Sequence, residues 1–489
     1  MKNLIENFKN DKFLVVIPII TISVRLIIFL FIPHTYEDAF ITFRYAENLA
    51  DGNGLVYNLG EKVYGTTTPL FAIILAAFNF IGISCIVSSL FINLIAEGIT
   101  SLIVYKFLKD YSYSSIAAIA VLLFVFSPSN ISWSIQGMET AFFGSMIALS
   151  FFSLYKEKYF LALLFGFLSA MIRIDGLSVT FVIFSISIIE KKLSVFKPLL
   201  IPLSIFIVWL IFLYLYFGNF LPNSMIAKLI LYSGHQESIL PNLSLVFSKF
   251  FASGYYSSSL MTLLFLSGIL IIFLKKLRLY PMVIWFLIYY MALIFSRTSI
   301  HGWYLIPPLF VYTTIAGITI IFIFITIQKK IKRNKILLKI LILIGILFFS
   351  SITLYQKIIQ IKKEYLYEKI VRERIGRFIN NNTPKNSSIF LEPIGVIGYY
   401  SDRYIYDDAA LISPMFLEFN KLPYNAESRY KKIQFVRPDY LVLRNKYLKE
   451  FYLKTNLLED YITIKNFDFY IDPNHPEFLA MTVFERKKS

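Results

Sequence analysis

Apolar runs bounded by charged or turn-forming residues recur along the first 354 positions. They cover 13–33, 84–107, 115–130, 139–155, 159–173, 176–190, 197–217, 258–274, 280–297, 303–328 and 336–354. A helix that crosses a bilayer needs about 20 mostly apolar residues, and its backbone must satisfy its own hydrogen bonds. The pattern predicts a polytopic α-helical membrane protein with about eleven transmembrane helices. A further run, 69–82, sets the direction of every later helix, and the basic residues decide how to read it. They cluster at Lys2/Lys9/Lys12, Lys106/Lys109, Lys156/Lys158, Lys191/Lys192/Lys197, Lys275/Lys276/Arg278 and Lys329/Lys330/Lys332/Arg333/Lys335. All six clusters share one side only if 69–82 does not cross, and positive residues favour the cytoplasmic side. The run is therefore read as a juxtamembrane helix opening at Pro69, a favoured first helical residue. The N-terminus is then cytoplasmic and the region after 354 is extracytoplasmic. A charged stretch at 1–12 before an apolar run without a small-residue cleavage site predicts a retained first helix.

Beyond 354 the pattern changes. Glu364–Asn380 reads as an amphipathic helix, and Ser388–Leu391, Tyr440–Leu443 and Phe478–Phe484 as strands, so 356–489 is predicted to be a small extracytoplasmic α/β domain. The transmembrane domain is 1–355, with 34–68 as its first outer loop. Composition agrees: 57% of the 489 residues are hydrophobic and 16% charged, against about 25% charged in soluble domains. Cys85 is the only cysteine, which removes internal disulfides and cysteine-based zinc sites. The formal net charge of +17 mostly resolves into the cytoplasmic clusters, where eighteen basic residues face five acids. It is a topology signal with some affinity for anionic membrane lipids, and nucleic acid is not an expected partner.

The first outer loop runs against this basic grain. It holds Glu37, Asp38, Glu47, Asp51 and Glu61 against Arg44 and Lys62. Phe40, Phe43, Ala46 and Ala50 fall at helical spacing opposite Arg44, Glu47 and Asp51, which predicts an amphipathic helix in the membrane interface. Gly52 and Gly54 then end it in left-handed geometry. The adjacent acids Glu37 and Asp38 have a plain reading as a solvated helix start. The functional reading is a general base, alone or with a metal ligand, at the lipid–water boundary. On a helix two adjacent carboxylates point apart, so a shared-proton dyad is not expected.

The loop resembles a known signature. Tyr36-Glu37-Asp38-Ala39-Phe40-Ile41-Thr42-Phe43-Arg44-Tyr45-Ala46, Gly52-Asn53-Gly54-Leu55-Val56-Tyr57-Asn58, Gly60-Glu61-Lys62-Val63 and Thr67-Thr68-Pro69-Leu70 are similar to the first loop of GT-C glycosyltransferases. The nearest likeness is to the arabinofuranosyltransferase-like branch of mycobacterial cell-wall enzymes. The general order is shared with protein O-mannosyltransferases and the aminoarabinose transferases of lipid A. Ser134–Thr140, Arg173–Gly176 and Gly395–Pro414 fit the same branch. The resemblance implies an inverting pentosyl- or hexosyltransferase. It would move a sugar from a polyprenyl-phosphate carrier to a glycan, lipid or protein hydroxyl on the outer face of the plasma membrane. An acid of the loop pair would be the base; the family usually has Asp at the first position, where this chain has Glu37. The resemblance names no cofactor, and it leaves a divalent cation open. The competing reading is a transporter or flippase of a lipid-linked sugar, against which the interfacial position of the acids argues.

Other charged residues fall at the outer ends of the predicted helices: Glu139, Arg173, Asp175, Arg297 and His301. With Arg44 they are the candidate donor-phosphate or substrate contacts, since a guanidinium matches phosphate geometry. The plain alternative for Arg173 and Asp175 is a local ion pair in a turn ending at Gly176, and for His301 an anchor beside Trp303. Lys228 reads as a solvated residue of the 218–257 loop, and Asp402, Asp407 and Asp408 as turn and strand-end residues. Arg25 and Glu97 lie inside apolar runs, where an unpaired charge is costly; each is expected to face the bundle or find a partner, an Arg25–Glu97 pair with a packing role being one option.

Overall fold

The structure is a computed structural model that describes residues 11–191, 194, 196–233, 240–251, 259–296, 299–330, 335–469 and 480–487. It divides into two compact units. One comprises Met1–Pro33, Ser89–Trp209 and Ser238–Ile361, and the other His34–Ser88, Leu210–Glu237 and Lys362–Ser489. The 34–68 loop, the 69–82 helix and the segment 210–237 are therefore compact with the C-terminal region.

The first unit is helical. Among the described residues, five helices are long and apolar enough to cross a bilayer: Phe13–Phe31, Cys85–Lys109, Phe196–Phe217, Gly302–Lys329 and Lys335–Asn382. Ser114–Val125 and Pro128–Ser134 are apolar enough only when taken together, and a 62° bend separates them, the shape of a broken span or of a re-entrant loop. The other predicted runs are helices too, but shorter. Thr140–Tyr155, Tyr159–Ile172, Leu177–Lys191, Ser259–Leu274 and Tyr280–Phe295 have 14 to 16 residues, about 21–24 Å at 1.5 Å per residue. Length alone thus supports five spans, or six with the bent pair counted as one, where the apolar pattern suggested eleven. The runs are cut short by tight turns, two of them at Glu157 and Lys276 with φ of +57° and +52°. Where Ser259–Leu274 packs on Leu309–Lys330, Gly268 is required, because a Cβ there would overlap the carbonyl oxygen of Ile315.

Of the options open to Arg25 and Glu97, the structure shows the pair, placed at the bend. Arg25 Nη2 lies 2.5 Å from Glu97 Oε2, and both residues are buried. Arg25 Nη1 donates to the carbonyl of Val125 at 3.1 Å, just before the break, and Asn130 Nδ2 donates to Glu97 Oε2 at 2.5 Å, just after it. Pro128 has no N–H and opens a gap in the helical ladder. The ion pair supplies a substitute donor and acceptor across that gap.

The second unit is built on a five-stranded mixed sheet. Its strands are β1 (Ser388–Leu391), β2 (Tyr404–Asp407), β3 (Tyr440–Arg444), β4 (Tyr461–Phe467) and β5 (Met481–Arg486), in the order β2-β1-β3-β5-β4. β1 is parallel to β2 and β3, whereas β5 is antiparallel to β3 and β4. Phe390, Leu441, Leu443 and Phe484 of the sheet share a core with Phe416, Ile433, Phe451 and with Ala227 of the Asn223–Ser233 helix. Lys228 on that helix is half-buried. Two of the expected strands coincide with β1 and β3. The third begins at Met481 rather than at 478, and 478 and 479 lie outside the described residues.

The 34–68 loop is fastened to this sheet. Asn58 pairs with the edge of β2 through its amide, donating to Ile405 O at 2.9 Å and accepting from Ile405 N at 3.0 Å. That covers an edge that would otherwise expose unpaired backbone. Tyr57 Oη donates to Ile394 O at 2.5 Å, and Asn223 Nδ2 to the carbonyls of Ala410 and Leu411 at 2.7 and 2.9 Å. The Pro69–Phe80 helix has 12 residues, too few to span. Gly52 and Gly54 adopt φ of +81° and +89°, the left-handed geometry expected of them.

Candidate active site

Glu37 and Asp38 form a turn immediately before the helix Ala39–Ala50. Asp38 is its N-cap residue, but its side chain caps no backbone N–H, so the plain reading as a helix start leaves this carboxylate unexplained. Glu37 is buried, and its Oε1 accepts the main-chain N–H of Gly395. Burial raises the Glu37 carboxyl well above the ordinary carboxylate range, and the neighbouring Asp38 charge raises it further, with the Arg372 guanidinium opposing both. The two acids occupy a turn rather than a helix, so the 100° separation of helical neighbours does not apply to them.

The helix that follows does not lie with a wet face. Ala39 through Ala46 are all buried, Arg44 included, so the interfacial amphipathic reading is corrected to a helix packed within its unit. Arg44 explains the error, because its charge is satisfied internally. Nε donates to Tyr57 O at 2.9 Å, Nη1 to Gly398 O at 2.6 Å and Nη2 to Arg403 O at 2.7 Å, with the Tyr57 ring 4.3 Å away. Nε thus braces the loop internally, while Nη1 and Nη2 tie it to the segment after β1.

Further charged residues gather around the acid pair. The long helix Lys335–Tyr367 passes into a π-helical turn, Glu368–Glu373, a form often found at functional positions. Arg372 of that turn is buried and pairs with Glu368 at 2.5 Å. His34 is 1% exposed, with Nε2 3.7 Å from Glu364 Oε2. Sequence reasoning missed His34, Glu368 and Arg372. Only the i,i+4 spacing of Glu368 and Arg372 hinted at a pair, and nothing local linked them to Glu37.

At the end of β2, burial pushes Asp407 up to about 7, opposed by main-chain N–H groups of Ile412, Ala409 and Leu411. Asp408 is fully buried between Arg429 and Lys432, at 2.5 and 3.0 Å, and against its burial these cations hold it below the usual carboxylate range. Asp402 adopts a left-handed turn conformation. These are the strand-end and turn positions expected of them.

In the helical unit, Arg173 brings Glu139 and Asp175 together. It pairs with Glu139 at 3.1 Å and with Asp175 at 2.8 Å, while its guanidinium packs 4.9 Å from the Phe143 ring and 5.1 Å from Tyr304. Tyr289 Oη donates to Asp175 Oδ2 at 3.1 Å. Gly176 is needed for this turn, since a Cβ there would lie 2.5 Å from Ala170 N. His301 stacks on Trp303 with centroids 4.5 Å apart and rings 5° from parallel. Arg297 lies outside the described residues. No group of three or more His, Cys, Asp and Glu side chains suited to a metal ion occurs among the described residues.

Comparison with known proteins adds the fold. A family described as a domain of unknown function (DUF8728) matches residues 359–484. A search of curated proteins finds no match. Among solved structures, ArnT from Cupriavidus metallidurans bound to undecaprenyl phosphate is 11% identical, with a TM-score of 0.60 over 95% of this chain and 97% of that one. The same protein in the apo state gives 10% identity and a TM-score of 0.62 with the same coverage. The Archaeoglobus fulgidus oligosaccharyltransferase in complex with Zn and sulfate is 12% identical, with a TM-score of 0.57 over 91% of this chain and 70% of that one. Over nearly its whole length, this chain has the GT-C fold of membrane glycosyltransferases.

Proposed function

We propose that the protein is a glycosyltransferase of the plasma membrane. It takes a sugar from a polyprenyl-phosphate carrier and transfers it, with inversion, to an acceptor hydroxyl on the outer face. The observation that carries this reading is the buried carboxyl of Glu37, fixed by Gly395 N–H beside Asp38 on a GT-C fold. A desolvated carboxylate is a stronger base than one in water, and its affinity for a proton is brought toward the operating pH. Glu37 removes the acceptor hydroxyl proton as the oxygen attacks the anomeric carbon, and the carrier phosphate departs from the opposite side. Asp38 keeps the pair electron-rich and stabilises positive charge developing on the sugar. One similar structure, ArnT, was determined with undecaprenyl phosphate, and we assign this chain a carrier of the same class.

Arg44 has its nitrogens engaged by main-chain carbonyls, and Arg173 is neutralised by two carboxylates. We assign both to holding their surroundings in place rather than to gripping phosphate. The test is sugar transfer from defined polyprenyl-phosphate donors by wild type, Glu37→Gln and Asp38→Asn. Loss of transfer in Glu37→Gln with donor binding retained supports the assignment, and full activity in both variants overturns it.

A further inference from the structure

Buried polar groups in folded proteins are nearly always paired, and each exception calls for an explanation. Among the described residues, thirteen buried side-chain nitrogen and oxygen atoms have no hydrogen-bond partner; nine belong to the sheet unit, and apart from Ser224 Oγ these sit on five charged or ionisable residues. Those eight are both ring nitrogens of His34, Glu368 Oε2, Arg372 Nε, Arg444 Nε, and Nε, Nη1 and Nη2 of Arg429, of which Nε still ion-pairs with Asp408. These residues come from the first loop, the π-helical turn, the end of β3 and the helix Ala426–Val436.

Glu392 is the common neighbour of the three arginines. It pairs with Arg444 Nη2 at 2.9 Å, and its charge also acts on Arg372 and Arg429. Three residues further on, Gly395 holds Glu37. The side chains of Glu392 and Arg444 are 26% and 21% exposed, against 9% for Arg372 and 1% for Arg429, so the cluster opens toward solvent at the Glu392–Arg444 end. Elsewhere in this unit buried polar groups such as Arg44, Asn58 and Arg403 are tightly paired. Arginine has donors only, in a planar fork that suits phosphate and carboxylate.

We propose that Arg372, Arg429 and Arg444 form an oxyanion pocket beside Glu37, and that it receives a phosphate or carboxylate group carried by the acceptor. The choice of acceptor rests on the reading of Glu37 as base. It is favoured over the donor because Arg429 and Arg444 belong to the polar sheet domain, with Arg372 reaching them from the end of the long helix Lys335–Asn382. On this view the enzyme selects an acceptor that is itself anionic.

The test uses the full chain in detergent at fixed ionic strength. Binding and thermal unfolding are measured with inorganic phosphate, glucuronate, neutral glucose and undecaprenyl phosphate. The expected result is that phosphate or glucuronate binds and raises the unfolding midpoint while glucose does neither. Arg372→Gln and Arg444→Gln each weaken that binding tenfold or more, Arg444→Lys weakens it less, and Glu37→Gln retains it. Failure of the wild type to bind either soluble oxyanion, or equal binding by the arginine variants, overturns the pocket. Arginine variants that lose undecaprenyl phosphate and keep the soluble oxyanions overturn the acceptor assignment. Unchanged transfer by Glu37→Gln would remove the base but leave the oxyanion result standing.

Discussion

The main-chain N–H of Gly395 donates to the carboxyl of Glu37, and the two residues touch so closely that a Cβ on Gly395 would overlap the Glu37 carbonyl oxygen. The proposed base is thus placed by a residue 358 positions away. Gly395→Ala must displace the turn that carries both acids. We expect transfer to fall about 100-fold, the scale of a misplacement near 1 Å, with a stability loss of about 1–3 kcal/mol from overpacking. Transfer rates alongside thermal unfolding check this, and a variant with wild-type turnover would show that the contact does not position the base.

Glu37→Gln should separate function from stability. Because burial raises its carboxyl in the folded state, the stability Glu37 contributes is fully present below the unfolded value, about 4.3. It is lost as pH rises through the folded value. At neutral pH the neutral glutamine avoids this penalty and can still accept from Gly395. The variant is expected to lose transfer by at least about 100-fold while unfolding at a higher temperature than wild type. The gap in midpoint should close as pH falls toward 4. A variant less stable than wild type at pH 8 contradicts the sign.

Arg44→Lys should act on folding. A lysine cannot reproduce three donors directed at Tyr57, Gly398 and Arg403 carbonyls. Each lost bond leaves a buried carbonyl unsatisfied, at about 1–3 kcal/mol. Thermal unfolding should show a loss of several kcal/mol, with donor affinity of the remaining folded protein unchanged. A selective loss of donor affinity at full stability would instead return Arg44 to phosphate binding.

A double-mutant cycle tests the brace at the bend. Removing one partner of a buried ion pair costs about 3–5 kcal/mol, whereas replacing both by apolar residues often costs far less. Glu97→Gln and Arg25→Met are each expected to destabilise strongly and the double variant by less than their sum. Additive losses would show that Arg25 and Glu97 act independently.

What the sequence revealed follows from the range of each interaction. The 12-residue helix at Pro69, the left-handed glycines and strands β1 and β3 depend on residues within a few positions, and periodicity exposes them. The Arg25–Glu97 pair was legible as one option because a charge in an apolar run needs a partner. β2 and β4 escaped notice: β2 is four residues long, and β4 is exposed along most of its length. Arg44 misled for the opposite reason, since a charged residue on an otherwise apolar helix suggests water when its partners are distant carbonyls. Arg372 and Gly395 bear on Glu37 only through the fold, and no local spacing could link them.

The clasp between Asn58 and Ile405 joins positions 347 residues apart, and that separation has a consequence for how the protein is made. During synthesis the acid pair leaves the ribosome early, yet neither the backbone donor of Gly395 nor the β2 edge exists until most of the chain has been translated. The loop must wait, unfastened, through the insertion of the intervening helices. A product cut off before residue 395 can carry every predicted span and still have no seat for Glu37, so any transfer would begin only when the last part of the chain arrives.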